Sequence, residues 1–225
     1  MKSIQTDSAV PTGFEPLDVL LTTGGIPLGS VCTMRSDPRA SAYQFMLHVA
    51  KDTPNNAYFF SLGRRKETVK RTAEQVNTNL SSSNIFSLSD EPTSPNLIRT
   101  VSNQPIEDRD VVIIDSLNLL TDDEQQSYTK LYQALKRLAI EERAVVVCHY
   151  YTQSTNQPTF VPIADYHSDL LLSLTRTYKQ SNITQELWID RLPAGMGIKD
   201  SQQDTRFATV DDSSGQLTLK TGGRI

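Results

Sequence analysis

Two short and almost unbroken apolar runs constrain the fold of this chain more than any other feature of its sequence. Residues 111–114 read Val-Val-Ile-Ile and are followed by Asp115, and residues 145–147 read Val-Val-Val. A strand with one solvated face alternates apolar and polar side chains, whereas a strand covered on both faces is apolar throughout. These runs therefore predict interior strands of a parallel sheet that is buried between two layers of helices.

Turn residues divide the first two thirds of the chain into alternating strand-like and helix-like segments. Strands are predicted over residues 30–35, 57–62, 84–88, 110–115 and 144–150. Helices are predicted over residues 40–51, 66–79 and 122–142, with a helix or turn at 95–102. Alternation of this kind is typical of parallel strand–helix–strand units.

The pattern changes after Tyr150, where residues 151–162 form a polar stretch with two prolines. Strand-like segments follow without a long helix between them, at residues 170–176, 186–191, 206–210 and 216–219. We interpret them as antiparallel strands at the sheet edge. The prediction is one α/β domain over residues 11–225, preceded by a loose tail of residues 1–10. Its sheet is mainly parallel, with helices on both faces and a C-terminal antiparallel extension.

Composition excludes several classes of protein. Hydrophobic residues make up 37% of the 225 residues, and no apolar run approaches the roughly 18–20 residues of a membrane-spanning helix. The first residues lack the apolar stretch of a signal peptide, so we expect a cytoplasmic protein with no membrane partner. The net charge of −4 weighs against attraction of the whole molecule to nucleic acid, although a local basic patch would change that.

Cysteines and histidines offer little for redox or metal chemistry. Cys32 and Cys148 lie far apart in apolar runs and are expected in the core, so neither a disulfide nor a zinc site is predicted. His48, His149 and His167 have no Cys or carboxylate at metal-ligand spacing. We therefore predict no metal site.

One position in this pattern is suited to chemistry. A strand that leads through a short loop into a helix, as residues 30–51 are predicted to do, is where nucleotide-binding α/β proteins place their phosphate loop. Asp115 and Ser116 follow an apolar strand, and in phosphate-loop NTPases an Asp so placed helps to hold magnesium. The apolar strand followed by Asp115 has a second explanation. A buried strand whose final Asp caps a helix has the same sequence pattern.

The chain resembles a known family at this point. Residues 12–21 read Thr-Gly-Phe-Glu-Pro-Leu-Asp-Val-Leu-Leu, and residues 24–31 read Gly-Gly-Ile-Pro-Leu-Gly-Ser-Val. This passage resembles the opening of the KaiC/RadA branch of RecA-like ATPases, where a similar stretch leads into the Walker A strand. The resemblance continues in order through residues 58–62, 113–117, 165–174 and 206–219. It implies a RecA-like fold and a divergent, archaeal-type paralogue.

The same resemblance implies that the Walker A loop is degenerate. Counted from Gly29 without a gap, the loop falls on Ser36, Asp37, Pro38, Arg39, Ala40, Ser41, Ala42 and Tyr43. The family has glycines where this chain has Ser36, Arg39 and Ser41. Those glycines let backbone N–H groups fold around phosphate oxygens in conformations that side chains obstruct.

The charged and metal-binding positions of the loop are also replaced. Ala42 stands where the family has the lysine that binds phosphate. Tyr43 stands where a small Ser or Thr hydroxyl holds magnesium, and its own hydroxyl lies too far out on the ring. Asp37 adds negative charge where a triphosphate would lie.

Further members of the family's catalytic set are missing. Where the family has glutamates after its second strand, one of which orients the attacking water, this chain has Gly63 and Arg64. Of the Lys/Arg pair that acts across the subunit interface, only Arg191 is a match. Asp115 and Ser116 alone remain, as a vestigial Walker B motif. Together these losses remove the electrostatic stabilisation that dominates phosphoryl transfer.

The resemblance therefore implies a catalytically inactive RecA/KaiC-like domain that serves as a regulatory or assembly subunit. Neither ATP nor magnesium is expected to bind, and the expected partner is a RecA/KaiC-like paralogue or a second copy of the chain. Fold analogy alone carries this part of the prediction.

Two alternatives remain open. One is an ATPase-dead accessory protein in DNA recombination or repair, with residues 151–162 as the contact loop. That loop has no Lys or Arg, so DNA binding is expected to be weak. The other is an ATP-binding protein with an unorthodox loop.

Overall fold

The structure of the protein is a computed structural model. It describes residues 8–78, 80–122, 124–152, 160–179, 182–193, 206–211 and 217–221. The helices are α1 (Glu15–Leu20), α2 (Ala42–Asp52), α3 (Lys66–Gln75), α4 (Ser94–Ser102), α5 (Gln125–Glu142) and α6 (Val161–His167). None of these described helices has both the length and the apolar character needed to cross a membrane.

The described strands form one small ribbon and one large sheet. The ribbon pairs β1 (Ala9–Val10) with β2 (Ile26–Pro27). The large sheet contains β3 (Ser30–Ser36), β4 (Ala57–Ser61), β5 (Ile85–Ser87), β6 (Val111–Asp115), β7 (Val145–Tyr151), β8 (Leu170–Lys179), β9 (Asn182–Arg191), β10 (Arg206–Asp211) and β11 (Leu217–Thr221). Its spatial order is β11-β10-β9-β8-β3-β7-β6-β4-β5.

The predicted fold class is confirmed. From β8 to β5 every neighbouring pair of strands is parallel, and β9, β10 and β11 continue the sheet with antiparallel pairing. Successive residues of β6 face opposite layers, so Ile113 joins the core beneath α1, α2 and α3, and Ile114 joins the core beneath α4, α5 and α6. Burial on both faces is the reason why this strand is apolar throughout.

Three local predictions need correction. Segment 170–176, interpreted as antiparallel, pairs in parallel with β3 as part of β8 and is antiparallel only to β9. The reason is α6, which the sequence reading missed and which provides the crossover connection that a parallel neighbour requires. Residues 9 and 10, assigned to a loose tail, form β1 and are 2% and 0% exposed. The helix α1 was also missed, because its six residues are too short to show a helical period.

Asp18 of α1 makes the stability of the fold depend on pH. Its Oδ1 accepts bonds from the backbone N–H and the hydroxyl of Thr12, both at 2.8 Å. Burial, with a contribution from the Asp52 carboxylate, nevertheless raises the pKa of Asp18 from 3.8 to about 6. Between those two pH values the folded chain keeps a proton that the unfolded chain has released, so the free energy of unfolding falls as pH rises through this window.

We expect Asp18→Asn to remove this pH dependence. The Asn side-chain oxygen still accepts the bonds from Thr12 but carries no buried charge. At pH 7 the variant should be more stable than the wild type by about 1–3 kcal/mol, after allowance for partial exposure. At pH 4 the two proteins should be nearly equal. Urea unfolding at both pH values measures the difference, and equal differences at the two pH values would contradict the expectation.

Candidate functional site

The site lies where the carboxyl ends of β3, β6 and β7 meet. These strands are neighbours, and the chain moves from β3 through α2 to β4 on the far side of β6 and β7. The connection after β3 therefore runs toward β7, β6 and β4, while β8 lies on the opposite side of β3. Open α/β sheets bind ligands in the crevice that forms at such a switch in strand order.

Asp115 ends β6 as a buried carboxylate that has two partners in its own chain. Its Oδ1 lies 2.7 Å from Nδ1 of His149, near the end of β7. Its Oδ2 accepts a bond of 3.4 Å from Nε of Arg64. Asp115 is 3% exposed and His149 is 0% exposed. A buried carboxylate is costly unless it is paired and hydrogen-bonded, and these contacts supply both kinds of stabilisation.

Ser36 extends this contact into a relay of three residues, which we call the Ser36–His149–Asp115 relay. The Oγ atom of Ser36 lies 2.9 Å from Nε2 of His149, so both ring nitrogens of the histidine have partners. Serine, imidazole and carboxylate follow one another in the same order in hydrolytic triads. Ser36 is only 1% exposed, however, so a substrate carbonyl has no access to its hydroxyl. The geometry therefore favours a structural relay.

Arg64 forms the outer layer of this site together with Tyr43. The guanidinium carbon lies 4.4 Å from the centre of the Tyr43 ring, a distance suited to a cation–π contact. Burial acts to lower the pKa of Arg64, but the Asp115 carboxylate, with Tyr151 and Tyr43, raises it above its ordinary value. The Arg64 side chain thus stays charged while it lies against the carboxylate at the end of β6.

The connection between β3 and α2, residues 37–41, is held by strands β8 and β9. The carboxylate of Asp37 accepts a bond of 2.6 Å from the backbone N–H of Arg176, whose Nη1 donates in turn to the carbonyl of Arg39 at 3.0 Å. The backbone N–H of Ser41 donates to Oε1 of Gln185 at 2.7 Å, and Nε2 of Gln185 donates to Oγ of Ser41 at 2.9 Å. The amide of Ser41 lies at the start of α2, where a phosphate loop presents such groups to its ligand.

At Gly63, where the resemblance places the family's glutamate, a side chain would contact Leu119. A Cβ atom added at Gly63 would lie 2.2 Å from Cδ1 of Leu119. The Leu119 side chain is 46% exposed and covers the backbone at this point. A glutamate at position 63 would therefore require Leu119 to move.

Two further arginines, Arg35 and Arg191, have partners within the chain. Arg35 pairs with Asp165 at 3.5 Å and with Asp190 at 3.3 Å. Arg191, the match for the residue that acts across the subunit interface, turns back onto α6. Its Nη1 donates to carbonyl oxygens at the C-terminal end of that helix, those of Asp165, Tyr166 and Ser168.

Tyr150, which precedes the proposed DNA-contact loop, and Tyr151, its first residue, both contact other side chains of the chain. Tyr150 is fully buried and donates its hydroxyl to Asp165 at 2.6 Å. The ring of Tyr151 packs edge-on against His149, with centroids 4.6 Å apart. The buried ring of Tyr150 is therefore not accessible to stack on a base. Residues 153–159 of this loop lie outside the described residues.

The cysteines have the expected core positions, since Cys32 and Cys148 are both 0% exposed. Burial raises the pKa of both thiols, that of Cys148 to about 12, so neither is a reactive thiolate at neutral pH. Within the described ranges, no group of three or more His, Cys, Asp or Glu side chains is close enough to hold a metal ion.

The structure brings together some of the residues singled out in the sequence and adds others. Ser36 and Asp115 meet through His149, and Tyr43 meets Asp115 only through Arg64. The sequence did not identify the partners of Asp115, which the structure shows to be His149 and Arg64. The sequence reading also missed Gln185. Its signal was a polar residue on the same strand face as two buried residues, Leu187 and Ile189.

Comparisons with known proteins agree with this architecture. A family model described as "Family of unknown function (DUF7125)" matches residues 9–203. No curated protein matches the chain. Among solved structures, the KaiC-like protein PH0186 from the hyperthermophilic archaeon Pyrococcus horikoshii OT3 is similar, with a TM-score of 0.71 and 12% sequence identity. The match covers 94% of this chain and 98% of that chain. At this identity the likeness establishes a RecA/KaiC-like fold.

Proposed function

We propose that this chain, which belongs to the DUF7125 family of unknown function, is a catalytically silent RecA-like subunit with an assembly or regulatory role. One observation carries the proposal. The carboxylate of Asp115, at the end of the strand where phosphate-loop NTPases hold magnesium, is bonded on one oxygen to His149 and on the other to Arg64. The Arg64 guanidinium thus places against this carboxylate the positive charge that a metal ion would otherwise bring.

The phosphate-binding groups support the same proposal. A phosphate loop works because its backbone N–H groups point at an empty cradle. In this chain the N–H of Ser41 is bonded to Gln185, and the N–H of Ala40 donates to the carbonyl of Asp37 at 2.9 Å. A triphosphate would have to break these contacts and lie beside the Asp37 carboxylate, without a lysine to neutralise it.

The assembly role follows from what the chain retains. Its own contacts form the sheet and both helical layers, and its surface can serve as an interface for another subunit. In RecA-like assemblies subunits pack edge to edge around the nucleotide site, so an inactive copy can cap or modulate an active one. This step rests on fold analogy.

We expect Mg-ATP to leave the thermal stability of the protein unchanged. A ligand that binds only the folded state stabilises it by about 2.7 kcal/mol at 100 times its Kd, an effect that shifts Tm by several degrees. Differential scanning fluorimetry with millimolar Mg-ATP, together with isothermal titration, measures the absence or presence of this shift.

Asp115→Asn is the matched control for this experiment. It removes the charge at the position of the metal ligand and keeps the shape of the side chain. Suppose that Mg-ATP raises the Tm of the wild type but not that of the Asp115→Asn variant. This result would mean that the Asp115 carboxylate still binds a metal ion. That result would replace the proposal with an unorthodox ATP-binding protein.

A further inference from the structure

The C-terminal half of α5 exposes a large apolar side chain, Ile140, away from the sheet edge where β3, β6 and β7 end. Ile140 is 57% exposed, whereas its neighbour Ala139 is 0% exposed and faces the core. Ile140 borders a cleft of about 350 Å³, lined also by Gln133, Lys136, Arg137, Glu141 and His167. Tyr166, next to this cleft on α6, is 78% exposed. Ile140 is thus an exposed apolar side chain at a cleft that is otherwise lined by polar and charged residues.

The charges around Ile140 have a simple arrangement. Lys136 is already paired with Asp169. Arg137 and Glu141 are exposed, and neither has an ion-pair partner in the part of the chain that the structure describes. The two residues are one helical turn apart, so they lie on the same side of Ile140, one charge toward each end of the helix.

This arrangement is complementary to itself. If two α5 helices cross antiparallel about a two-fold axis at the level of Ala139, Arg137 of each copy lies level with Glu141 of the other. The two Ile140 side chains then meet near the axis, offset by about 3 Å along the helices because the rise is 1.5 Å per residue. A two-fold interface brings the same patch of both subunits together, so the patch must complement itself in this way.

We propose that the protein self-associates through α5, by antiparallel packing of this helix against α5 of a second copy around Ile140. The patch favours a second copy over nucleic acid, because phosphate contact requires several unpaired cations and this patch offers Arg137 beside an acidic Glu141. The contact lies on a helical face away from the edge where β3, β6 and β7 end. It identifies a partner for the proposed assembly role, and its biological meaning rests on that proposal.

The experiment is sedimentation equilibrium of the full chain from about 5 to 500 micromolar, a range that detects a Kd on the order of micromolar. The wild type should form dimers. Ile140→Glu and Arg137→Glu should each raise the dimer dissociation constant at least tenfold, the first by placing a carboxylate at the apolar contact and the second by opposing two glutamates across the axis.

The double variant Arg137→Glu/Glu141→Arg provides the decisive comparison. It reverses both charges and so restores the cross-axis pairing, and it should regain a dimer affinity close to that of the wild type. Lys70→Glu, on the exposed face of α3 with a side chain 53% exposed, is the control and should dimerise normally. Thermal unfolding of each variant verifies that it is folded, which is expected because Ile140 is a surface residue.

Three results would overturn the inference. The first is a wild type that stays monomeric throughout the concentration range. The second is an Ile140→Glu variant that dimerises as tightly as the wild type. The third is a double charge reversal whose dimer affinity is no higher than that of Arg137→Glu alone. These results leave the proposal of a silent nucleotide site unaffected, since that proposal depends on Mg-ATP titration. Conversely, the protein could bind Mg-ATP and also dimerise through α5. That result would overturn the proposal of a silent nucleotide site and support the proposal of the α5 dimer.

Discussion

Replacement of His149 by Leu is expected to lower the free energy of unfolding by about 3–5 kcal/mol, the largest effect of any single change at the candidate site. The leucine occupies a similar volume but makes no hydrogen bond. It leaves the Oδ1 of Asp115 and the hydroxyl of Ser36 buried without their partner. Each buried polar group that loses its hydrogen-bond partner costs about 1–3 kcal/mol, and this change leaves two such groups.

Asp115→Asn and Ser36→Ala are the graded controls for this prediction. Asp115→Asn keeps a side chain that can bond to His149 and loses only the charge that faces Arg64, so it should cost about 1–3 kcal/mol. Ser36→Ala removes a neutral hydroxyl from the far end of the relay and should cost no more than that. Chemical denaturation measures all three. A loss below about 1 kcal/mol for His149→Leu would show that the relay does not hold the site together.

A second comparison isolates the contact between His149 and Asp115. The double variant His149→Leu/Asp115→Leu removes the charge as well as its partner. If the cost of His149→Leu comes mainly from the orphaned carboxylate, the double variant should be less destabilised than the sum of its single variants. Additive losses would instead attribute the cost to packing.

Most of the strands could be predicted from the sequence because their signal is local. Residues 111–114 and 145–147 are apolar throughout, and the sheet covers them on both faces. The predicted segment 30–35 ends one residue before β3 does, and the predicted segment 144–150 is displaced by one residue from β7. The short helix α6 escaped prediction because its seven residues are too few to show a helical period and its N-cap Phe160 offers no capping side chain. Without that helix the parallel pairing of β8 could not be inferred.

The candidate site was predicted in position but not in its contacts. The order of strands along the chain was sufficient to place Ser36 and Asp115 at one sheet edge. Which side chains meet there depends on register, and Ile114 lies opposite Cys148 in the paired strands β6 and β7. The next residues along these strands are Asp115 and His149, so the contact follows once the register is known. The pairing of Ser41 with Gln185 joins residues far apart in sequence and has no local signal.

Gly25→Ala is expected to destabilise the fold by about 3–5 kcal/mol, because this glycine lies against the backbone of β1. Its φ is +156°, and a Cβ atom would lie 2.2 Å from the carbonyl oxygen of Val10 and 2.6 Å from its carbonyl carbon. Backbone atoms cannot rotate away as the end of a flexible side chain can. The β1–β2 ribbon must therefore shift, and the side chains of Val10 and Ile26, both 0% exposed, lose part of their burial.

Gly29→Ala is the matched control, since it lies a few residues away in the same Gly-rich stretch and also has a positive φ, +75°. The nearest atom to its added Cβ is 3.7 Å away, an ordinary contact with Ile140. This change should cost only the strain of a left-handed alanine, about 1–2 kcal/mol. Urea unfolding of both variants separates the two causes. Equal losses of unfolding free energy would mean that backbone conformation alone determines the cost at Gly25. The expected larger loss for Gly25→Ala measures how strongly the β1–β2 ribbon stabilises the start of the domain.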